Sequence, residues 1–207
     1  MTTLILMRHG HVDGISPERF RGRMELPLSP LGRKQAQALA DRLSMRGRPA
    51  AFYTSPMGRC LQTAAPIGRA VGSMWQSLDE LQDIDHGQWQ GRSHEEVERE
   101  APGLYRLWRE QPHLMRFPDG ESLQDLTART ADGLRKILEP HPAGEVFLVG
   151  HDSVNRALLL ELLDLPLSAY WKIAQSPCGI NEIEIERRGV LIRRLNDTAH
   201  LEDMSAN

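Results

Sequence analysis

The 207 residues suffice for one domain with a sizeable core, and 40% apolar with 26% charged residues is the balance of a folded globular protein rather than a disordered one. A net charge of −3 with no basic run argues against a broad nucleic-acid footprint, and any anion bound here is expected to be small. Two cysteines, Cys60 and Cys178, form no CxxC pair, so neither a disulfide framework nor a cysteine-based zinc site is expected. The apolar run before Arg8 is too short for a leader or a membrane span, and the reading is a soluble, cytoplasmic protein.

In chain order, residues 4–7 are continuously apolar and stop at Arg8-His9-Gly10, as expected of a buried strand feeding a loop at its carboxyl end. Pro27, Ser29, Pro30 and Gly32 mark a turn. Ala36, Leu39, Ala40 and Leu43 then recur at helical spacing, with a stop at Gly47. Residues 51–55 read as a second strand, and Pro56 opens a helix that carries Arg59 and that Pro66 is expected to kink or end. Residues 84–120 are irregular, with a Ser93/Glu96 capping box and prolines at 102, 112 and 118, and are expected to form a partly helical, cap-like insertion. Ser122 caps a long helix ended by Pro140. Residues 146–149 form another buried strand, running into Gly150-His151-Asp152 and a helix over 154–163. Residues 181–186 and 190–195, turned by Arg188-Gly189, predict a hairpin. The alternation predicts a mostly parallel sheet between helices, with an antiparallel edge, so that the polar stretches near residues 8–10, 59 and 151 meet at one end of it.

What that convergence does depends on how His9-Gly10-His11-Val12-Asp13 is read. An H-x-H-x-D pattern suits a binuclear zinc hydrolase, because His9 and His11 would share a face of an extended strand. Gly10 interrupts the strand, however, no third histidine follows Asp13 closely, and Arg8 would set a cation beside a dication. Phosphate fits better. Arg8 and Arg59 each offer a fork of donors matched to phosphoryl oxygens, and a neutral His9 nitrogen is a competent nucleophile near pH 7. Gly10 lets the backbone approach a ligand, and His151 precedes a helix N-terminus that favours an anion.

Six motifs taken in order resemble the histidine phosphatase superfamily over almost the whole chain. They are Arg8-His9-Gly10; Gly22-Arg23-Met24-Glu25-Leu26-Pro27-Leu28-Ser29 with Gly32 and Gln35; Ser55-Pro56-Met57-Gly58-Arg59; Leu81-Gln82-Asp83-Ile84-Asp85-His86-Gly87 with Trp89 and Gly91; Pro118-Asp119-Gly120-Glu121-Ser122; and Gly150-His151-Asp152. The Asn196-Asp197-Thr198-Ala199-His200 ending agrees. The segment beginning at Gly22 is most similar to the α-ribazole phosphatase and broad-specificity phosphatase branch. The resemblance implies a three-layer α/β/α fold, phosphoglycerate mutase-like, as one domain over 1–207. It implies a metal-independent phosphomonoesterase that hydrolyses small phosphorylated metabolites through a phosphohistidine, with no cofactor. In that scheme His9 is the nucleophile; Arg8, Arg59 and His151 form the phosphate pocket; and Asp83 stands where the general acid, more often glutamate, is found. Burial or the substrate's charge is expected to raise the Asp83 pKa. Asp85 is a rival that an extended segment would point the other way.

Some positions depart from the family pattern. His11-Val12 replaces Glu-Thr, Ile15 sits where asparagine is common, and Arg21 replaces glutamine. Arg21 reads either as a reader of a second acidic group or as a solvated loop residue, and His11 either touches substrate or is a polar loop residue. Asp152 either caps its helix or joins the pocket. His94, His113 and His141 are expected at the surface or at helix ends. Mutase-type phosphoryl transfer and a non-catalytic phospho-ligand-binding protein stay open as alternatives. The partner is a small phosphate ester, with no nucleic acid or membrane, and a homodimer is compatible with the sequence.

Overall fold

The computed structural model describes residues 1–13 and 18–204, so the departure at Ile15 lies outside the described residues. Its sheet is built from β1 (Thr2–Arg8), β2 (Ala51–Thr54), β3 (Gln76–Ser77), β4 (Gly144–Gly150), β5 (Ile180–Glu186) and β6 (Gly189–Asp197), in the order β3-β2-β4-β1-β5-β6. β1, β2, β3 and β4 are mutually parallel, and β5 and β6 add an antiparallel edge. The predicted hairpin is present, whereas the two-residue β3 carries no sequence signal of its own.

The central strands are apolar throughout because both faces are covered. Alternation sends Leu4 and Leu6 of β1 and Val146 and Leu148 of β4 into one core. Ile5 and Met7, with Phe147 and Val149, enter the other. The second core is closed by α1 (Pro30–Ser44) and α2 (Gly58–Val71), the first by α5 (Leu123–Leu138) and α6 (Asp152–Leu162). Ser29 caps α1 by accepting from the Gly32 amide, and Ser122 with Asp125 forms a capping box on α5.

α2 corrects one expectation. Pro66 neither ends nor visibly divides the helix, which runs on to Val71 and closes on Gly72 at φ +64°. Ile67 and Val71 are buried in the second core, and their packing outweighs the backbone bond the proline removes.

The chain between β3 and α5 holds α3 (His94–Glu100), α4 (Pro102–Glu110) and short 3-10 turns, with the Ser93/Glu96 capping box in place. Trp89 and Trp108 bury their rings here, 2% and 3% exposed, against Phe117. No helix among the described residues is long and apolar enough to cross a membrane.

The loop after β1 is locked onto the start of α1 by two glycines. A Cβ on Gly10 would lie 2.6 Å from the Gly32 carbonyl oxygen, and one on Gly32 would lie 2.0 Å from that of His11. Only bare backbone permits this approach. Gly32→Ala is therefore expected to lower unfolding free energy by about 1–3 kcal/mol in urea titration, and to lower turnover because the His9 loop must shift. Unchanged stability would show that the loop yields freely.

Candidate active site

Strand register brings the site together. Arg8 pairs with Gly150 at the last step of the β1–β4 ladder, so His9 and His151 leave adjacent parallel strands side by side. The His9 amide continues the ladder to the Gly150 carbonyl at 3.0 Å, and the two imidazoles stand edge to face with centroids 5.2 Å apart. From β2, the Ser55 amide donates to Val149 at 3.0 Å, which places the Ser55 hydroxyl 2.8 Å from His151 Nε2. Arg59 follows one turn later, near the start of α2, and is completely buried. The three polar stretches thus meet at the carboxyl ends of the strands, as expected.

The hydrogen bonds fix where the ring protons sit. His9 Nδ1 lies 2.7 Å from the Gly10 carbonyl oxygen, which can only accept, so Nδ1 carries the proton and Nε2 presents a lone pair. Arg59 Nε donates to His151 Nδ1 at 3.2 Å, so His151 carries its proton on Nε2 and donates it to Ser55. Burial, then the positive charges around them with Arg59 foremost, lowers both histidine pKa values well below 6.5. Both rings are neutral at physiological pH.

The remaining Arg59 donors hold the surrounding loops: Nη1 to the Met24 carbonyl at 2.8 Å, and Nη2 to the Gly22 carbonyl at 2.7 Å and Asp83 Oδ2 at 3.0 Å. Asp83 also accepts the Ile84 amide and is 8% exposed. Its pKa in the ligand-free site departs from the rise expected of burial. Burial pushes the carboxyl up, but Arg59, then His86 and His9, outweigh it and hold it below its ordinary value, so the ligand-free site keeps Asp83 ionised. Asp85 turns away as predicted, to Arg23 at 3.5 Å and the Gly87 amide.

Arg8 and Asp83 join this buried layer to an open cleft of about 220 Å³. One Arg8 Nη donates to the Gln175 carbonyl, Asp152 stands 3.8 Å away, and Arg8 Nε is buried without a hydrogen-bond partner among the described residues. Arg21 lines the cleft, its pKa lowered to about 10, chiefly by burial. Asp152 also lines it, and its side chain grips Arg156 at 3.1 Å rather than capping α6. The outer wall carries His86, His94, Trp108, Arg109, Arg156, Tyr170 and Trp171. His94 begins α3, as a helix-end residue should, but it also faces the cleft. His11 points elsewhere, to the Ser29 hydroxyl at 2.8 Å, so the polar-loop reading holds and the rings of His9 and His11 serve different partners.

Sequence reasoning missed Ser55 and the outer-wall groups. Ser55 had a signal, since it ends an apolar strand just before Pro56, whereas Gln175 and Trp171 arrive from a distant loop and turn. Cys60, one residue beyond Arg59, packs its sulfur 3.5 Å from His151 Nε2, and burial drives its thiol pKa up to about 12.

His86 generates a pH prediction. It is buried against Phe20, Phe117 and Trp108, its Nδ1 has no partner among the described residues, and burial lowers its pKa from 6.5 to about 4. A base with a depressed folded pKa binds fewer protons folded than unfolded, so its contribution is complete above pH 6.5 and is lost as pH falls toward 4. The loss amounts to about 3 kcal/mol. His86→Phe is expected to flatten the fall in unfolding free energy between pH 6.5 and 4; an unaltered slope would count against this assignment.

Comparison with known proteins agrees with this geometry. The family model of the histidine phosphatase superfamily (branch 1) matches residues 4–198. Phosphoserine phosphatase 1 of Hydrogenobacter thermophilus is 35% identical over 201 residues, 97% of this chain and 95% of that one. A glucosyl-3-phosphoglycerate phosphatase of Mycobacterium tuberculosis is 33% identical over 177 residues, 80% of this chain and 77% of that one. The solved structure of Bacillus stearothermophilus YhfR superposes with a TM-score of 0.91 at 28% identity, over 98% of this chain and 100% of that chain. Parallel-strand ends carrying paired histidines and arginines, a family model over nearly the whole length, and relatives aligned almost end to end lead to one conclusion: the chain belongs to branch 1 of the histidine phosphatase superfamily.

Proposed function

We propose that the protein hydrolyses small phosphomonoesters by transferring the phosphoryl group to His9 Nε2 and then to water. The observation carrying this reading is the unprotonated Nε2 of a neutral His9 held beside His151 and the guanidinium groups of Arg8 and Arg59. A phosphoryl dianion set against these groups would find charge-assisted donors, including Arg8 Nε, which has no hydrogen-bond partner among the described residues. His151 can serve as a donor there without turning its ring. Once a phosphoryl group draws Arg59 Nε away from Nδ1, the ring proton can sit on Nδ1 while the Ser55 hydroxyl turns to donate a hydrogen bond to Nε2.

In the first step the bond from His9 Nε2 to phosphorus forms as the ester P–O bond breaks, and Asp83 gives its proton to the departing oxygen. In the second, Asp83 takes a proton from water, the water oxygen bonds to phosphorus, and the P–N bond breaks, restoring neutral His9 and releasing inorganic phosphate. Asp83 starts ionised because Arg59 holds it. A phosphoryl group that competes for Arg59 and adds negative charge raises the carboxyl pKa, so Asp83 takes up a proton from solvent on substrate arrival and holds it for the leaving oxygen. The guanidinium groups supply the positive charge that a metal ion supplies in many other phosphoryl-transfer sites.

The segment over 84–120 acts as a cap that sets substrate choice. Arg21, Arg109 and Arg156 stand along a cleft that also contains the carboxylates of Glu18, Asp83 and Asp152, beside the rings of Trp108 and Trp171. This favours a substrate with a second acidic group beyond its phosphate, a class to which phosphoserine and glucosyl-3-phosphoglycerate, named for two relatives, both belong.

The test is phosphate release from a panel of phosphomonoesters, with and without EDTA. Release is expected to survive EDTA and to vanish in His9→Ala. Full activity in that variant would overturn the mechanism, and release lost to EDTA would overturn metal independence. Asp83→Asn is expected to slow alkyl esters by about 10²-fold or more while slowing p-nitrophenyl phosphate far less, because that leaving group needs little protonation. Equal slowing would remove Asp83 from the role.

A further inference from the structure

The reading of Asp83 as general acid leaves open what holds it in place. Residues 82–86 form no helix or strand, and a short carboxylate has little reach of its own. The answer lies on α5, where Arg129 and Gly133 stand one turn apart on one face. A Cβ on Gly133 would come within 2.9 Å of Glu80 Cβ, so helix and turn touch at a separation only glycine permits.

That approach lays the Arg129 guanidinium over the backbone leading to the acid. Nη1 donates to the carbonyls of Glu80 at 2.8 Å and Gln82 at 2.7 Å, and Nη2 to the carbonyl of Asp83 itself at 3.0 Å. The guanidinium is in turn oriented by Glu121, which accepts from Nε at 2.7 Å and Nη2 at 2.9 Å. Glu121 then closes on the far side of the acid: Oε2 accepts the Asp85 amide at 2.9 Å, and its own amide donates to the Asp85 carbonyl at 2.9 Å. Arg23 completes the frame, donating to Glu121 Oε1 at 3.1 Å and to the Asp83 carbonyl at 3.3 Å. Every one of these bonds goes to main chain or within the frame, and none touches the Asp83 carboxylate, which accepts from Arg59 and the Ile84 amide and has His151 Nδ1 3.6 Å from Oδ2.

We infer that the Arg129–Glu121 pair is a positioning device that sets how deep the Asp83 carboxyl reaches toward the leaving oxygen. The inference rests on Asp83 being the acid. Arg129 and Glu121 are not among the residues lining the cleft and make no hydrogen bond to the Asp83 carboxylate; their hydrogen bonds reach the acid through the carbonyls of 80, 82 and 83 and both backbone groups of 85, and the charge of Arg129, which also acts on His151, is retained in Arg129→Lys.

A double-mutant cycle separates positioning from general support. Arg129→Lys keeps the charge but loses the fork, and is expected to lower kcat for an alkyl phosphomonoester about tenfold, as displacement of a catalytic group does, with KM nearly unchanged. With p-nitrophenyl phosphate the loss is expected to stay under about twofold, since little protonation is needed. Placed on Asp83→Asn, the same substitution is expected to change alkyl-ester kcat by less than about twofold, because the group it positions is gone. Glu121→Gln, which keeps shape and removes charge, is expected to follow the same pattern. It decides the matter by these criteria if circular dichroism shows Arg129→Lys unfolded. Equal slowing of both leaving groups, an undiminished tenfold loss on Asp83→Asn, or full alkyl-ester rates in both single variants would overturn the inference. Absence of leaving-group selectivity in Asp83→Asn alone would instead remove the acid reading beneath it, and with it this inference.

Discussion

The parallel pairing of β1 with β4 is the constraint from which the rest of the site follows. With Arg8 opposite Gly150, His9 and His151 leave the sheet at the same height, and pairing of β2 with β4 brings Ser55 to the same level. A slip of one residue would turn His9 or His151 to the other face and break the hydrogen-bond chain through Ser55. Apolar residues on both faces of the two central strands hold that register against two separate cores. The precision of the polar site is thus set by burial remote from it.

Charge is arranged with the same economy. Burial, then the field of Arg59 and Arg8, keeps both imidazoles neutral, with Arg129 and Arg21 adding to the effect on His151. Asp83 is the anion closest to Arg59, at 3.0 Å. Much of the cost of burying Arg59 is met by the carbonyls of Gly22 and Met24, so the loops of the pocket rim are organised by the same side chain that the proposed mechanism turns toward phosphate. Arg129 repeats the device one layer out, with carbonyls of the acid loop in place of those of the rim.

Sequence reasoning reached the elements whose signals are local. Apolar runs ending in Arg-His-Gly and Gly-His, the Ser29 and Ser122 caps, and the hairpin periodicity all correspond to observed elements within a residue or two at most boundaries. The helix end allowed for at Pro66 did not occur, because core packing around Ile67 and Val71 outweighed a local rule. The rise in the Asp83 pKa expected from burial failed because its sign depends on Arg59, 24 positions away in sequence, and no spacing rule reports their contact. The outer wall of the cleft was opaque for the same reason. Trp108, Arg156 and Trp171 come from three separate segments, and only packing makes them neighbours. Motifs placed the proposed chemistry, whereas the choice of substrate is written in tertiary contacts.

The thiol of Cys60 lies against His151, deep in the site. Phosphatases that attack with sulfur need a thiolate, and a thiolate is what peroxide oxidises. Here burial keeps the sulfur protonated, with a pKa near 12, and leaves it no accessible surface, while the attacking atom is assigned to nitrogen. A site so built carries a cysteine at its base in the buried, protonated form that is least open to oxidation.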